Sequence, residues 1–254
     1  VALHKKELRI IKTMKHQLFI VIISLIFAGG PLMAQDSFKN IRFGPEVSPQ
    51  ISWMYTNNNQ INSSGNNFGL KLGLMGEYYF TENYALTGGL GLAFNTGGTL
   101  NHDIGGQLLG RSELSMPNLN TLDDGAEIKY SMQFVELPIG LKMKTRQFGY
   151  ISYYAHLPVF TLSILTRSRG DIMASNASAT NENISRDTRF FNFSWGFGGG
   201  AEYSVSPETS LVFGLYYQQS MIDITRDKGT LRTGEEEDSK GSFGIITLRL
   251  GVLF

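Results

Sequence analysis

Cysteine is absent from the 254-residue chain. That excludes disulfides, thiol catalysis and a lipid-modified N-terminal cysteine. No excess of either charge is present, since 22 basic side chains match 22 acidic ones, and nucleic acid is therefore not an expected partner. Histidine is scarce, with only His102 and His156 beyond residue 34. No Gly-x-Ser-x-Gly, phosphate-loop or metal-helix signature occurs. An apolar run stands at residues 18–28, inside "MKHQLFIVIISLIFAGGPLMAQ", which starts at Met14. The run is too short for an ordinary spanning helix, follows Lys15 and precedes a small-residue site ending at Ala34. This pattern predicts a secretory signal peptide over 1–34, cut before Gln35, with 1–13 as a start-site artefact or an extended positive region. Its removal takes away Lys5, Lys6, Arg9, Lys12 and Lys15 but only one acid, Glu7, leaving a mildly acidic product over 35–254.

Glycine and aromatics are abundant: 29 Gly, 17 Phe and 11 Tyr. They alternate. In "FFNFSWGFGGGAEY" (190–203) Phe191, Phe193, Trp195 and Phe197 fall on one parity, and Asn192, Ser194, Gly196, Gly198, Gly200 and Glu202 on the other. Period two marks a strand with unlike faces. The same pattern recurs at 43–55, 68–80, 84–95, 130–143, 148–166, 210–221 and 243–254, giving eight segments. The segment at 130–143 changes phase near Phe134, as a β-bulge would cause, and 148–166 is apolar on both faces. Short links at 81–83, 145–147 and 206–208 alternate with long polar ones at 57–67, 96–129, 167–189 and 223–242.

These features predict an all-β fold, an eight-stranded antiparallel up-and-down transmembrane β-barrel. Short turns would lie on the periplasmic side and four long loops outside. Aromatics gather at both ends of the segments, as interfacial belts require. The bulky face then meets lipid and the Gly/Ser/Glu face a narrow lumen, which at eight strands has room only for side chains. The lumen set is Glu46, Lys71, Glu77, Glu136, Lys142, Glu202 and Arg249. These are expected to form an ion-pair network that plugs the interior, with Glu46 close to Arg249 because closure brings the first and last strands together. A continuous water-filled pore is not expected.

"FVELPIGLK" (134–142) resembles the pattern of the PorT-type outer-membrane β-barrel family of Bacteroidota. "GLKLGLMGEYYFTENYALTGGLGLAF" (69–94), "WGFGGGAEYSVSPETSLVFGLYYQ" (195–218) and the terminal "LRLGVLF" are similar to its hairpins and closing strand. The resemblance implies an eight-stranded outer-membrane barrel without catalytic residues; the family's namesake is linked to type IX secretion and gliding motility. The expected partners are outer-membrane lipid and, through the long loops, a surface or secretion-complex protein.

Other chemistry is thinly supported. His156 has Ser152 four residues away on the same face but no neighbouring acid, so a lipid-modifying enzyme is the lesser alternative. His102, beside Asp103, is expected in a solvated loop. "EEED" (235–238) lacks the interleaved spacing of a calcium loop and reads as a solvated acidic loop. "GGLGLAFNTGG" (88–98) is a strand's inward face, since no helix pattern follows. A soluble lipocalin-like barrel is disfavoured because the small face carries too few charges to cover a surface in water. No cofactor, metal or enzymatic activity is expected.

Overall fold

Each of the eight alternating segments becomes a strand. A computed structural model describes residues 40–226, 229–236 and 239–254. The predicted signal peptide, 1–34, lies outside the described residues. The strands are β1 (Ile41–Thr56), β2 (Ile61–Tyr79), β3 (Tyr84–His102), β4 (Gly106–Gln107), β5 (Ala126–Lys144), β6 (Ile151–Met173), β7 (Ser178–Asn183), β8 (Phe191–Ser204), β9 (Ser210–Ser220), β10 (Thr230–Leu231) and β11 (Gly241–Leu253). Eight of them form an antiparallel ring in the order β1, β2, β3, β5, β6, β8, β9, β11. The pairing of β1 with β11 completes it. β7 lies on the upper part of β6, and β4 pairs with β10 outside the ring.

Burial follows parity, in the inverse sense to a protein in water. Phe68, Leu72, Leu90, Phe213, Leu215 and Leu248 are exposed, whereas Lys142 and Glu202 are each 1 % exposed. A continuous apolar wall of this extent has to meet hydrocarbon. The polar positions turn inward, where glycine admits bulky partners. A Cβ at Gly198 would overlap the Tyr216 ring, and one at Gly214 would meet the Tyr154 hydroxyl.

The expected bulge in β5 is not there. Its even positions stay inward throughout, from Ile128, Tyr130, Met132 and Phe134 to Glu136, Gly140 and Lys142. What changes is the medium. Below Phe134 the inward face is polar and the outward face apolar. Above it the inward face is apolar, and Lys129, Ser131 and Gln133 point out. The bulges lie on the neighbours instead. Asn95 (φ 57°) is extra in β3, while Leu157–Pro158 and Thr166 are extra in β6. The two in β6 each reverse its parity, which accounts for a segment that reads as apolar on both faces.

The outer links also differ from expectation. β2 begins at Ile61, paired with His102, so the first outer link is only 57–60 and the strict short–long alternation fails there. Likewise β3 runs on to His102, β5 starts at Ala126 and β6 continues to Met173. Asn- and Ser-rich stretches such as "NSSGNN" read as loop, yet they pair, because above the bilayer a strand's outer face meets water.

The upper barrel is therefore a water-facing structure with its own core. Met54, Ile128, Met132, Phe134, Ile172 and Phe243 fill it from the wall, and Leu108, Leu109, Leu119, Leu122, Ile184 and Ile224 close it from the loops. Phe134 and Phe243 meet across the interior with ring centroids 6.0 Å apart.

Candidate functional site

The seven lumen charges gather in three clusters within the lower half. β1 and β11 meet at the first, where Arg249 Nε lies 2.8 Å from Glu46 Oε2. Arg249 Nη1 donates to the Tyr216 hydroxyl at 3.0 Å, and the guanidinium lies over that ring, 4.0 Å from its centroid. In the second, Lys71 Nζ is 2.9 Å from Glu136 Oε2 and donates to Gln218 Oε1 at 2.8 Å. Gln218 Nε2 in turn donates to Thr161 Oγ1 at 2.6 Å. The third centres on Lys142, which bridges Glu77 and Glu202 and sits over the Tyr154 ring, 4.5 Å from its centroid.

Two members of this third cluster escape the sequence reading. Arg42 Nη1 donates to Glu202 at 2.9 Å and Lys144 Nζ at 2.6 Å. Both share parity with the predicted set, but they stand one residue beyond the alternating segments as read, at the ends of β1 and β5. With them, Arg42, Lys71, Lys142, Lys144 and Arg249 face Glu46, Glu77, Glu136 and Glu202. The acidic surplus of the predicted set becomes a slight basic one. Deep burial of unpaired charge is prohibitive, so each carboxylate needs its partner.

Two lumen voids measure about 30 and 20 Å³. A water molecule needs roughly 10–15 Å³ of such space, so each void takes one or two waters and neither makes a channel.

His156 sits among these groups. Its Nε2 contacts Thr87 Oγ1, and its Nδ1 lies 3.2 Å from the Tyr216 hydroxyl. Among the described residues its ring partners are hydroxyls, and none is a carboxylate. Ser152 is buried in register with Glu202 and is not among the partners of His156.

His102 is not solvated. It closes β3 inside the cap, between Ile61 and Ala126 in register, and is 3 % exposed. Burial holds its imidazole down at about 4, against a raising contribution from the Ala126 backbone and from Asp103. In the acidic loop Glu235 and Glu236 are exposed, while Glu237 and Asp238 lie outside the described residues. Among the described residues no group of three or more possible metal ligands occurs.

The cap loops lock to one another. Arg111 N donates to Asp187 Oδ1 at 3.0 Å, Asn176 Nδ2 to the Thr121 carbonyl at 2.8 Å, and Ser115 to Glu182. Arg232 binds Asp123, whose carboxyl is held below the usual range by the Ser175 hydroxyl and that guanidinium.

A closed antiparallel ring with a lipid-facing wall and a polar lumen is the architecture of an outer-membrane barrel, and a family model decides the matter. The model for the outer membrane protein beta-barrel domain matches residues 33–226. The chain belongs to that family. Membership in the outer-membrane β-barrel family places the ring in the outer membrane and identifies its apolar wall as the lipid face. Solved structures similar to this barrel include Neisserial surface protein A, at 10% identity over 85% of this chain and 96% of that one, with a TM-score of 0.42. Ail of Yersinia pestis has 14% identity over 84% and 98%, with a TM-score of 0.38. The outer membrane protease OmpT of Escherichia coli has 9% identity over 89% and 99%, with a TM-score of 0.41. Among curated proteins none matches the chain.

Proposed function

We infer that this outer-membrane barrel is a non-enzymatic anchor that holds a folded platform outside the cell for binding or assembly. The observation that carries the reading is the change of core at Phe134. Below it the ring is packed with ion pairs, which would plug the lumen. Above it the strands continue past the lipid band around an apolar core that the loops at 103–125 and 174–190 cover together with the described residues of 221–240. A channel has no use for such a core, and floppy loops would not need one. A rigid display surface does. The absence of a carboxylate among the ring partners of His156 supports the non-enzymatic reading.

The resemblance to PorT-type barrels gives the reading a specific form, in which the platform docks onto a secretion complex of type IX. A signal peptide over 1–34 supplies the export this requires. The test replaces residues 107–121 by a short Gly/Ser linker in the chromosomal copy. The reading expects a barrel that still migrates as a folded species in unheated gels, together with loss of the deletion strain's complementation. Full complementation by the linker variant would sink the display role. Normal export of type IX cargo in the deletion strain would sink the secretion role alone.

A further inference from the structure

Immediately above the lipid band, the wall formed by β5 and β6 carries a groove of about 270 Å³ lined by Lys129, Arg167 and Arg169. Successive outward rungs of this wall run Val135–Ile164, Gln133–Arg167, Ser131–Arg169 and Lys129–Asp171. The first is the last apolar rung, and the cations begin at the next. The bulge at Thr166 sets this up. It turns Arg167 outward, where unbroken alternation from Leu165 would send it into the core beside Phe134. Bulges commonly re-aim side chains in this way.

The cations are available. Among the described residues neither Lys129 nor Arg167 has an ion-pair or hydrogen-bond partner for its charged group. Arg169 Nη1 donates only to the Asn181 carbonyl, at 3.0 Å. The acid in the groove is Asp171, which accepts the Asn181 backbone N–H at 2.8 Å and offsets one of the three positive charges. On the opposite wall the outward side chains Tyr55, Asn66 and Gln219 carry no charge. Toward β8 a second pocket, against Leu165 and Thr166, adds Arg111, Arg186 and Arg226, of which Arg186 is paired with Glu113, so the positive charge gathers on the side of the ring that runs from β5 to β8.

Height selects the ligand. Alternate residues stand about 7 Å apart along a strand, and a bilayer's headgroup layer is roughly 6 Å deep on each side. Arg167 and Arg169 thus bracket the layer in which lipid phosphates lie. Guanidinium forks match phosphate oxygens in a bidentate fashion, and acyl chains beneath would lie on Val135 and Ile164. We propose that this groove binds the phosphate-bearing headgroup of a lipid in the outer leaflet, holding the barrel at fixed depth and rotation beneath its cap. The site is distinct from the display platform and holds whether or not the platform has a protein partner.

Native mass spectrometry of the full chain, folded in delipidated detergent micelles, tests this with three probes: bisphosphorylated lipid A, the same lipid stripped of phosphate, and inorganic phosphate as a competitor. The bisphosphorylated lipid should bind, and removal of its phosphates should weaken binding. Arg167→Gln with Arg169→Gln should weaken it by about thirtyfold, from roughly fivefold per cation at an anionic membrane surface. Lys240→Gln, remote from the groove, should bind as the parent does. Unheated gel migration checks that each variant folds, and outward Gln substitutions leave the core intact. Equal binding of the dephosphorylated lipid, or undiminished binding by the double variant, would overturn the site. Displacement by equimolar inorganic phosphate would overturn the lipid and leave a soluble phosphate ligand in its place.

Discussion

Arg249 on the last strand reaches Glu46 on the first, with Nε 2.8 Å from Oε2, across the seam where the ring closes. Closure of a barrel leaves this seam as the one pairing between the two ends of the chain, and the pair lies inside it, mostly hidden from water. Breaking a buried pair costs about 3–5 kcal/mol, because the survivor stays charged without a partner. Arg249→Ala is expected to lower the urea midpoint of the refolded barrel accordingly. Glu46→Gln combined with Arg249→Met should recover most of that loss. A double variant as weak as the single one would mean that Arg249 acts through its stacking on Tyr216 instead.

The absence of cysteine makes single-cysteine labelling clean. Position 139 lies on the lipid wall of β5 and position 127 on the same outward face, six rungs higher by parity and above the groove lined by Lys129 and Arg169. A membrane-impermeant maleimide on intact cells should label Glu127→Cys and leave Ile139→Cys unmodified. The two substitutions lie on one continuous strand with unbroken phase, so the contrast reads the medium alone. Labelling of both, or of neither, would remove the boundary at Phe134.

That boundary also explains what was legible in the sequence. Period-two alternation located all eight ring strands, because parity is fixed by the pleat whatever the solvent. It misjudged β5, since Tyr130, Met132 and Phe134 are as apolar as residues that face lipid. Hydrophobicity reports that a side chain avoids water, and a protein core satisfies that as well as hydrocarbon does. The readable signal was on the other parity, where Lys129, Ser131 and Gln133 could not have pointed into a bilayer. Lumen charges were legible wherever they sat within a segment, and Arg42 and Lys144 were lost at segment ends. The cap core was not legible at all. Leu108, Leu109, Leu119 and Leu122 have no shared period and come together only through contacts between loops.

His102 links cap stability to pH. In the unfolded chain an imidazole binds its proton near 6.5, whereas burial holds it at about 4 in the cap. Between these values the unfolded state carries more protons, so acid favours unfolding. The stabilising contribution of the neutral ring is complete above pH 6.5, declines as pH falls towards 4 and levels off below. Its full span is roughly 3 kcal/mol at about 1.4 kcal/mol per pH unit. Protection factors of amides around residues 100–102 and 126–128, which correct exchange for its own intrinsic dependence on pH, should fall between pH 7 and pH 5. His102→Gln should flatten that dependence. An unchanged slope in the variant would mean that His102 does not carry the acid sensitivity of the cap.

Gly198 tests why the lumen face is made of glycine. It stands opposite Tyr216 in register, and the Tyr216 ring lies across the space a side chain would take. That ring is also the platform for Arg249 and a neighbour of His156. Gly198→Ala would push the ring aside at the centre of a lumen with almost no free volume, and overpacking of this kind costs about 1–3 kcal/mol. The loss should appear as a lower melting temperature in unheated-versus-heated gel shifts. Tyr216→Ala introduced with it should relieve the clash but free Arg249, so the double variant should stay well below the parent. Tyr216→Phe alone keeps the ring and removes only the hydroxyl that accepts from Arg249, and it should cost less than either. If Gly198→Ala melts with the parent, then the ring has room to move and the lumen is looser than its packing implies.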